Sequence, residues 1–185
     1  MRGIVFLLLA GAGVALAQEE ITGIAGTRTK PAPIVTVPGM PPVIDPTNLY
    51  SETAAGKVRA DVARGLPRIY VPNRRSNDVS VIDPNTLKVV DRFKVGVHPQ
   101  HVVPSWDLKT LWVTNNAEKR FDGTLTPIDP MTGKPGPSIE VDNPYNMYFS
   151  PDGRSAIVVA EARKRLDFRD PQTIALQSSL PVPGC

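Results

Sequence analysis

Cysteine is almost absent from this chain: of its 185 residues, only the last, Cys185, is one. It has no partner within the chain, so intramolecular disulfides are excluded, and Cys-rich metal sites go with them. No CxxCH sequence occurs, which excludes covalent attachment of a c-type haem. Histidine is nearly as scarce, with His98 and His101 the only two. Concentrated charge is missing as well. There are 21 basic and 18 acidic residues, a net charge of +3, and the basic residues are scattered, with Arg74-Arg75 and Arg163-Lys164-Arg165 among the few tight groups. Nucleic-acid binding calls for a basic stripe interleaved with stacking aromatics, so that partner class is set aside. The chain also has no GxSxG elbow, no P-loop and no GxGxxG. No catalytic set and no metal site are therefore assigned.

No apolar run reaches the ~20 residues of a membrane-spanning helix. The longest, Ile4 to Leu16, follows the positive start Met1-Arg2 and ends in Ala15-Leu16-Ala17 before Gln18-Glu19-Glu20. That order is the pattern of a cleaved secretion signal. A buried N-terminal helix would need a polar face for solvent, and this run has none. Residues 1–17 are expected to be a signal peptide cut after Ala17, placing the protein in the periplasm or outside the cell. No transmembrane segment is expected after signal removal, and no cysteine follows the cut to carry a lipid.

What the chain has in quantity is proline, 20 residues, together with 14 glycines. Long helices have little room among them, whereas short strands joined by turns do. A hydrophobic content of 41% is that of a chain with a packed core. Residues 18–67 read as an N-terminal arm with Pro-rich extended segments, Lys30-Pro31-Ala32-Pro33 and Pro38-Gly39-Met40-Pro41-Pro42. Between these, Ile34-Val35-Thr36-Val37 predicts one short strand. Ala54, Val58 and Val62 have helical spacing, so a short helix is expected within 51–64, weakened by Gly56.

From Arg68 the chain repeats itself. Ile69-Tyr70-Val71-Pro72-Asn73 is matched by Leu111-Trp112-Val113-Thr114-Asn115, and Ile157-Val158-Val159-Ala160 opens a third unit. Ser80-Val81-Ile82-Asp83-Pro84 returns as Thr126-Pro127-Ile128-Asp129-Pro130 and as Asp167-Phe168-Arg169-Asp170-Pro171. Pro99 returns as Pro144, and Ser105-Trp106-Asp107 as Ser150-Pro151-Asp152. A period of a little over 40 residues is that of a four-stranded propeller blade. Within each unit, short β-branched or aromatic runs are separated by Gly, Pro, Asn or Asp, and helical periodicity is missing. The predicted fold is therefore all-β, a β-propeller of four-stranded blades over 68–185. In the middle unit, strands are expected near 101–104, 110–114, 124–128 and 136–141.

Tyr70-Val71-Pro72-Asn73, Trp112-Val113-Thr114-Asn115, Val79-Ser80-Val81-Ile82-Asp83 and the Val95-Gly96-x-x-Pro99 link resemble the repeat of the YVTN-type (YncE-like) β-propeller family. Ser150-Pro151-Asp152-Gly153-Arg154 looks like that family's turn between its first two strands. The repeat departs from the pattern at Pro72, at Trp112 and at Ala160-Glu161. The resemblance implies a seven-bladed ring, of which about three blades are present. Closed propellers need about four to eight blades, and an open end exposes strand edges. The chain is accordingly expected to be an N-terminal fragment of a longer protein, with closure by oligomerisation as the alternative.

Residues that recur serve the fold first. Asp83, Asp129 and Asp170, each before proline, predict Asx turns, and Asp152-Gly153 a hairpin turn. Asn73 and Asn115 are expected to bond the backbone of the next loop. Trp106, Trp112, Tyr145 and Tyr148 are expected to pack the blades. Residues that differ between units are the candidates for function. Aligning Pro99 with Pro144 sets His98 against Asn143 and His101 against Asn146, so the fold does not demand imidazole at either place. His98 and His101, with Arg74 and Arg75 on a strand-connecting loop, are the candidate ligand- or partner-binding residues. The first reading is a non-enzymatic binding or scaffold protein offering propeller loops to a protein partner or small ligand, with no cofactor. The alternative is a redox-associated periplasmic propeller that binds haem or docks an electron-transfer partner. The resemblance carries that alternative, because similar blades occur in the haem-binding domain of cytochrome-type nitrite reductases and in the heavy chain of methylamine dehydrogenase. Lactonase-like hydrolysis rests on fold analogy alone.

Overall fold

A computed structural model describes residues 32–48 and 50–184. The expected signal peptide and Cys185 lie outside the described residues. Three antiparallel sheets follow one another along the chain. The first comprises β1 (Ile69–Asn73), β2 (Asp78–Asp83) and β3 (Lys88–Lys94). The second comprises β4 (Pro99–Pro104), β5 (Leu111–Asn115), β6 (Thr124–Ile128) and β7 (Ile139–Glu140). The third comprises β8 (Pro144–Phe149), β9 (Ala156–Ala160), β10 (Arg165–Arg169) and β11 (Leu176–Pro181). Each strand pairs with the next in sequence, which is the meander of a propeller blade. The predicted all-β architecture is the observed one.

The turns explain why this sequence makes these strands. After β2, β6 and β10, Asp83, Asp129 and Asp170 accept backbone N–H bonds from Asn85, Met131 and Gln172 at 2.8, 2.8 and 2.9 Å. Each turn closes through a bond from the residue four places on, Leu87, Gly133 or Ile174, and all three have positive φ. Ile174 accepts a conformation that β-branched residues avoid, and its side chain is buried in the core. The β4–β5 and β8–β9 turns are also alike: Ser105 and Ser150 donate to Asp107 and Asp152 at 2.7 and 2.6 Å.

The sheets pack face to face. Val79 of the first buries against Val113 and Ile128 of the second, joined by Tyr70 and Phe93. Trp112, Leu125 and Val141 bury against Met147, Ala156, Val158 and Ile174 on the other side. Polar side chains stitch the strands within each sheet. Asn115 Nδ2 donates to Thr126 Oγ1 at 3.0 Å, and Thr126 shares a hydrogen bond with Ser138. Asn73 and Ser80 repeat the first bond at 2.8 Å. In the third sheet Ala160 replaces the asparagine and Asp167 replaces the hydroxyl. Asp167 is fully buried, takes a hydrogen bond from Ser179 at 2.6 Å, and pairs with Arg165 and with Arg169, itself only 8% exposed.

Four local expectations are corrected. Residues 34–37 are not a strand, because prolines bracket them and no strand edge lies alongside; Val37 N–H makes one backbone bond, to the Asp152 carbonyl. The segment 51–64 holds turns and a single 3₁₀ turn, Val62–Arg64, too few residues to repay helix nucleation beside Gly56. The strand expected at 136–141 shrinks to Ile139–Glu140, since Pro135 and Pro137 cannot donate to the ladder. Asn73 and Asn115 donate mainly to side chains of the neighbouring strand rather than to the following loop.

Two predictions follow from these contacts. Asp167→Ala is expected to cost about 3–5 kcal/mol in denaturant unfolding, because Arg169 stays buried without its partner. Combining Ala160→Asn, Asp167→Thr and Arg169→Ile, which restores the second sheet's pattern, should recover most of that loss. Acid should also unfold the protein. Backbone N–H groups of Thr173 and Met131 hold Asp170 and Asp129 below the usual carboxylate range, and the Ser150 hydroxyl does so for Asp152. Carboxyls depressed in the folded state add stability above the unfolded value, about 3.9, and lose it as pH falls through the folded value. The melting temperature, scanned from pH 7 to 2, is expected to drop steeply below about pH 4.

Candidate functional site

The link from each outer strand to the next inner strand turns on one residue of positive φ, His98 (54°) before β4 and Asn143 (44°) before β8. The two are equivalent, as the Pro99–Pro144 alignment predicts. Asn143 is fully buried. Its amide donates to the backbone carbonyls of Asn116, Glu118 and Arg120, and its Oδ1 accepts the Ala162 N–H at 2.6 Å. One side chain thus shapes the β5–β6 loop and ties it to the β9–β10 loop.

That β5–β6 loop is residues 116–123, whereas the corresponding loops of the first and third sheets are 74–77 and 161–164. The four extra residues bring Glu118 across to the first sheet's loop. Arg74 Nη2 donates to Glu118 Oε1 at 3.1 Å, and Arg74 Nε to His98 Nδ1 at 3.4 Å. His98 Nδ1 also lies 3.6 Å from Glu118 Oε2. Where Asn143 meets loop carbonyls, the His98 ring meets a guanidinium and a carboxylate, and its backbone N–H donates to Asn77 Oδ1 of the 74–77 loop at 2.9 Å. Asn116 Nδ2 extends the group to Glu161 Oε2 at 3.4 Å. Phe121, further along the inserted loop, lies under the Arg163 guanidinium at 3.7 Å, and Arg163 is paired with Asp142 at 2.8 Å.

His101 stands apart from this cluster and shares no hydrogen-bond partner with His98. Its Nδ1 lies 2.9 Å from the Tyr145 carbonyl oxygen, and its ring meets the Tyr145 ring edge-on at 5.2 Å. A carbonyl oxygen only accepts, so in the neutral ring Nδ1 carries the proton and Nε2 the lone pair. Arg75 is exposed and forms no ion pair among the described residues. Tyr148 is exposed rather than packed between blades; Tyr145, though 38% exposed, meets His101 of the neighbouring sheet, and Trp112 is buried as expected. Among the described residues no group of three His, Cys, Asp or Glu side chains converges on a metal-sized site.

Sequence reasoning named Arg74 and His98 but missed Glu118, Asn116 and Glu161. A signal for the loop was present: the repeat shift grows by four residues between the β5 and β6 matches and shrinks by four again in the third unit. Its destination was not legible. At the opposite end of the sheets, an apolar cleft of about 1150 Å³ lies between Met40, Ile44 and Tyr50 of the arm and Trp106, Leu108 and Phe149.

Meandering sheets packed face to face, with variable loops gathered at one end, define a β-propeller. The chain belongs to the YNCE-like beta-propeller family, whose model matches residues 26–180. Among solved structures, the fold is similar to that of Kuenenia stuttgartiensis hydrazine synthase, with TM-score 0.52, 21% identity, and coverage of 70% of this chain and 39% of that one. It is similar too to the dihydro-heme d1 dehydrogenase NirN in complex with DHE, with TM-score 0.50, 21% identity, and coverage of 67% and 25%. A functionally unknown protein from Desulfotomaculum acetoxidans matches with TM-score 0.50, 18% identity, and coverage of 62% and 37%. The chain spans less than half the length of each. No curated protein matches it.

Asn143→Ala is expected to destabilise the fold by about 2–4 kcal/mol, since several buried backbone groups lose their partner at once. Glu118→Ala, removing an exposed pair, should cost under about 1 kcal/mol. Equal losses in denaturant unfolding would contradict the clamp role given to Asn143.

Proposed function

We propose that this chain is a non-catalytic binding propeller, exported from the cytoplasm, whose loop end receives a protein partner or a small ligand. The observation that carries this reading is the convergence of Arg74, His98 and Glu118 from three separate connections. Glu118 already places a carboxylate against the Arg74 fork and the His98 imidazole, and Arg75 stands exposed beside them. A carboxylate supplied from outside would find guanidinium donors on Arg74 and Arg75, so acidic groups are the chemistry this face favours. Catalysis by a nucleophile–base pair draws no support from the arrangement. The Thr114 hydroxyl beside His101 accepts the His101 backbone N–H and donates to the Tyr145 carbonyl. Export rests on the Met1-to-Ala17 sequence pattern.

A second reading is haem binding or docking of an electron-transfer partner, and His101 is the observation that favours it. Its Nε2 lone pair, with Nδ1–H held by a backbone carbonyl, is the arrangement in which neutral imidazole ligates a metal. His101 would hold a haem there through Nε2, with the Tyr145 carbonyl fixing the imidazole, and the haem would supply one-electron chemistry.

One preparation tests both readings. Protein recovered from the exported fraction is expected to begin at Gln18, to be colourless, and to retain a partner that elutes with salt. Replacing Arg74 and Arg75 together by alanine should weaken that retention about tenfold, near 1.4 kcal/mol. Unchanged retention would move binding off this face. A Soret band, in the isolated protein or on titration with haemin, that disappears in His101→Ala would favour haem binding instead.

A further inference from the structure

We infer that the cleft beneath the N-terminal arm binds one uncharged, flat aromatic molecule bearing a carbonyl, with the arm as its strap. The cleft lies away from Arg74 and His98, so this inference does not rest on the loop-end reading. The arm crosses the β4–β5 and β8–β9 turns and is fastened at two points. Val37 N–H donates to the Asp152 carbonyl at 3.0 Å, and Leu66 N–H to the Pro130 carbonyl at 3.1 Å. Among the described residues between those anchors, 38–48 and 50–65, every hydrogen bond stays within the arm, as from Thr47 to Asp45 and from Thr53 to Tyr50. A segment held only at its ends can lift over what it covers.

The covered surface is apolar and aromatic. Met40 and Trp106 meet over Gly153, where an added Cβ would lie 2.6 Å from Met40 Cγ and 3.0 Å from Trp106 Cδ1. Beyond that contact the space opens to about 1150 Å³, room for a molecule of several fused rings. Ile44, Tyr50 and Tyr148 line it and remain 66%, 79% and 54% exposed, so the arm leaves apolar surface uncovered around the cleft. Aromatic walls favour a flat aromatic occupant. Trp106 Nε1 is shielded from solvent and has no hydrogen-bond partner among the described residues. An occupant that displaces the flexible Met40 side chain from that edge of the ring brings its carbonyl to the indole N–H.

Charge decides the rest. The charged groups around the cleft are already engaged within the chain. Glu52 pairs with Lys57, Arg59 with Asp61, and Lys109 with Asp107, which also accepts from Ser105 at 2.7 Å. Asp45 accepts from Thr47 and Asn48 and leaves a carboxylate at the rim. An anionic ligand would find no unpaired cation there and would meet that carboxylate, so the occupant is uncharged.

The test titrates the full chain with Nile red, an uncharged fused-ring carbonyl dye, and reads its fluorescence. One-site saturation is expected. Ile44→Asp with Tyr50→Asp, at exposed positions of the arm, should weaken binding about tenfold by setting carboxylates against the occupant. Trp106→Phe, which keeps a ring and deletes the donor, should weaken it about fivefold. Leu87→Asp with Val89→Asp, on exposed apolar positions of the first sheet, should change nothing. In the unsubstituted chain, amide exchange at Val43 and Ile44 should slow about threefold or more with dye bound. The inference is overturned by the absence of a saturable signal, by tight binding in the arm variant or in Trp106→Phe, or by equal loss in the β3 variant. Should a variant lose its circular dichroism, the unsubstituted chain decides, and unchanged exchange at Val43 and Ile44 overturns the inference. The anion 8-anilinonaphthalene-1-sulfonate bound as tightly as Nile red, and lost in the arm variant, would overturn the uncharged occupant. Dye excluded because the chain self-associates through the arm would assign the cleft to a second copy, which also overturns the inference.

Discussion

Blade-on-blade packing is the contact on which the rest of this structure depends. A twisted sheet with apolar residues on both faces is stable only when both are covered, and here each interior face finds its cover in the next sheet. Val79, Val113 and Ile128 form one seam, and Trp112, Leu125, Met147 and Val158 the other. Everything polar is arranged around those seams. Asp167, at the centre of the Arg165–Asp167–Arg169 cluster of the third sheet, occupies the place of the hydroxyl in the Asn–hydroxyl bonds of the first two. Two solutions to one problem, how to satisfy a polar group buried between strands, stand side by side in one chain.

The candidate site grows out of the same repetition. Every blade needs a link residue of positive φ before its inner proline, so that position recurs whether or not it has a function. Asn143 uses it to clamp a long loop; His98, over a short loop, has its imidazole left for Arg74 and Glu118. A four-residue insertion in one loop is what changes a structural joint into a group of titratable side chains drawn from two blades. The loop end is thus where a binding function could change without disturbing the core.

Much of the fold was legible in the sequence because the repeat is written in residues that act locally. Asp before proline makes an Asx turn wherever it stands, Ser-x-Asp makes the β4–β5 and β8–β9 turns, and β-branched runs between them make strands. The expectations that failed were those in which local preference had no tertiary partner. Ile34 to Val37 has strand composition but no edge to join, and the segment near Ala54 has helical spacing but no surface on which to bury it. Tyr148 reads as a packing residue by type, yet it lies exposed.

Of the site, the sequence by itself singled out His98, His101, Arg74 and Arg75, as residues that break the repeat. It determined the blade type, the turn chemistry and the equivalence of His98 with Asn143, since all three depend on neighbours a few residues away or one period apart. Only the tertiary structure decided that Glu118 meets Arg74 across 44 positions, that His101 is held by the Tyr145 carbonyl, and that the two histidines serve separate groups. Those contacts are set by how far one loop reaches over the next blade and by the rotation between sheets. Neither quantity is encoded in the spacing of residues along a single strand.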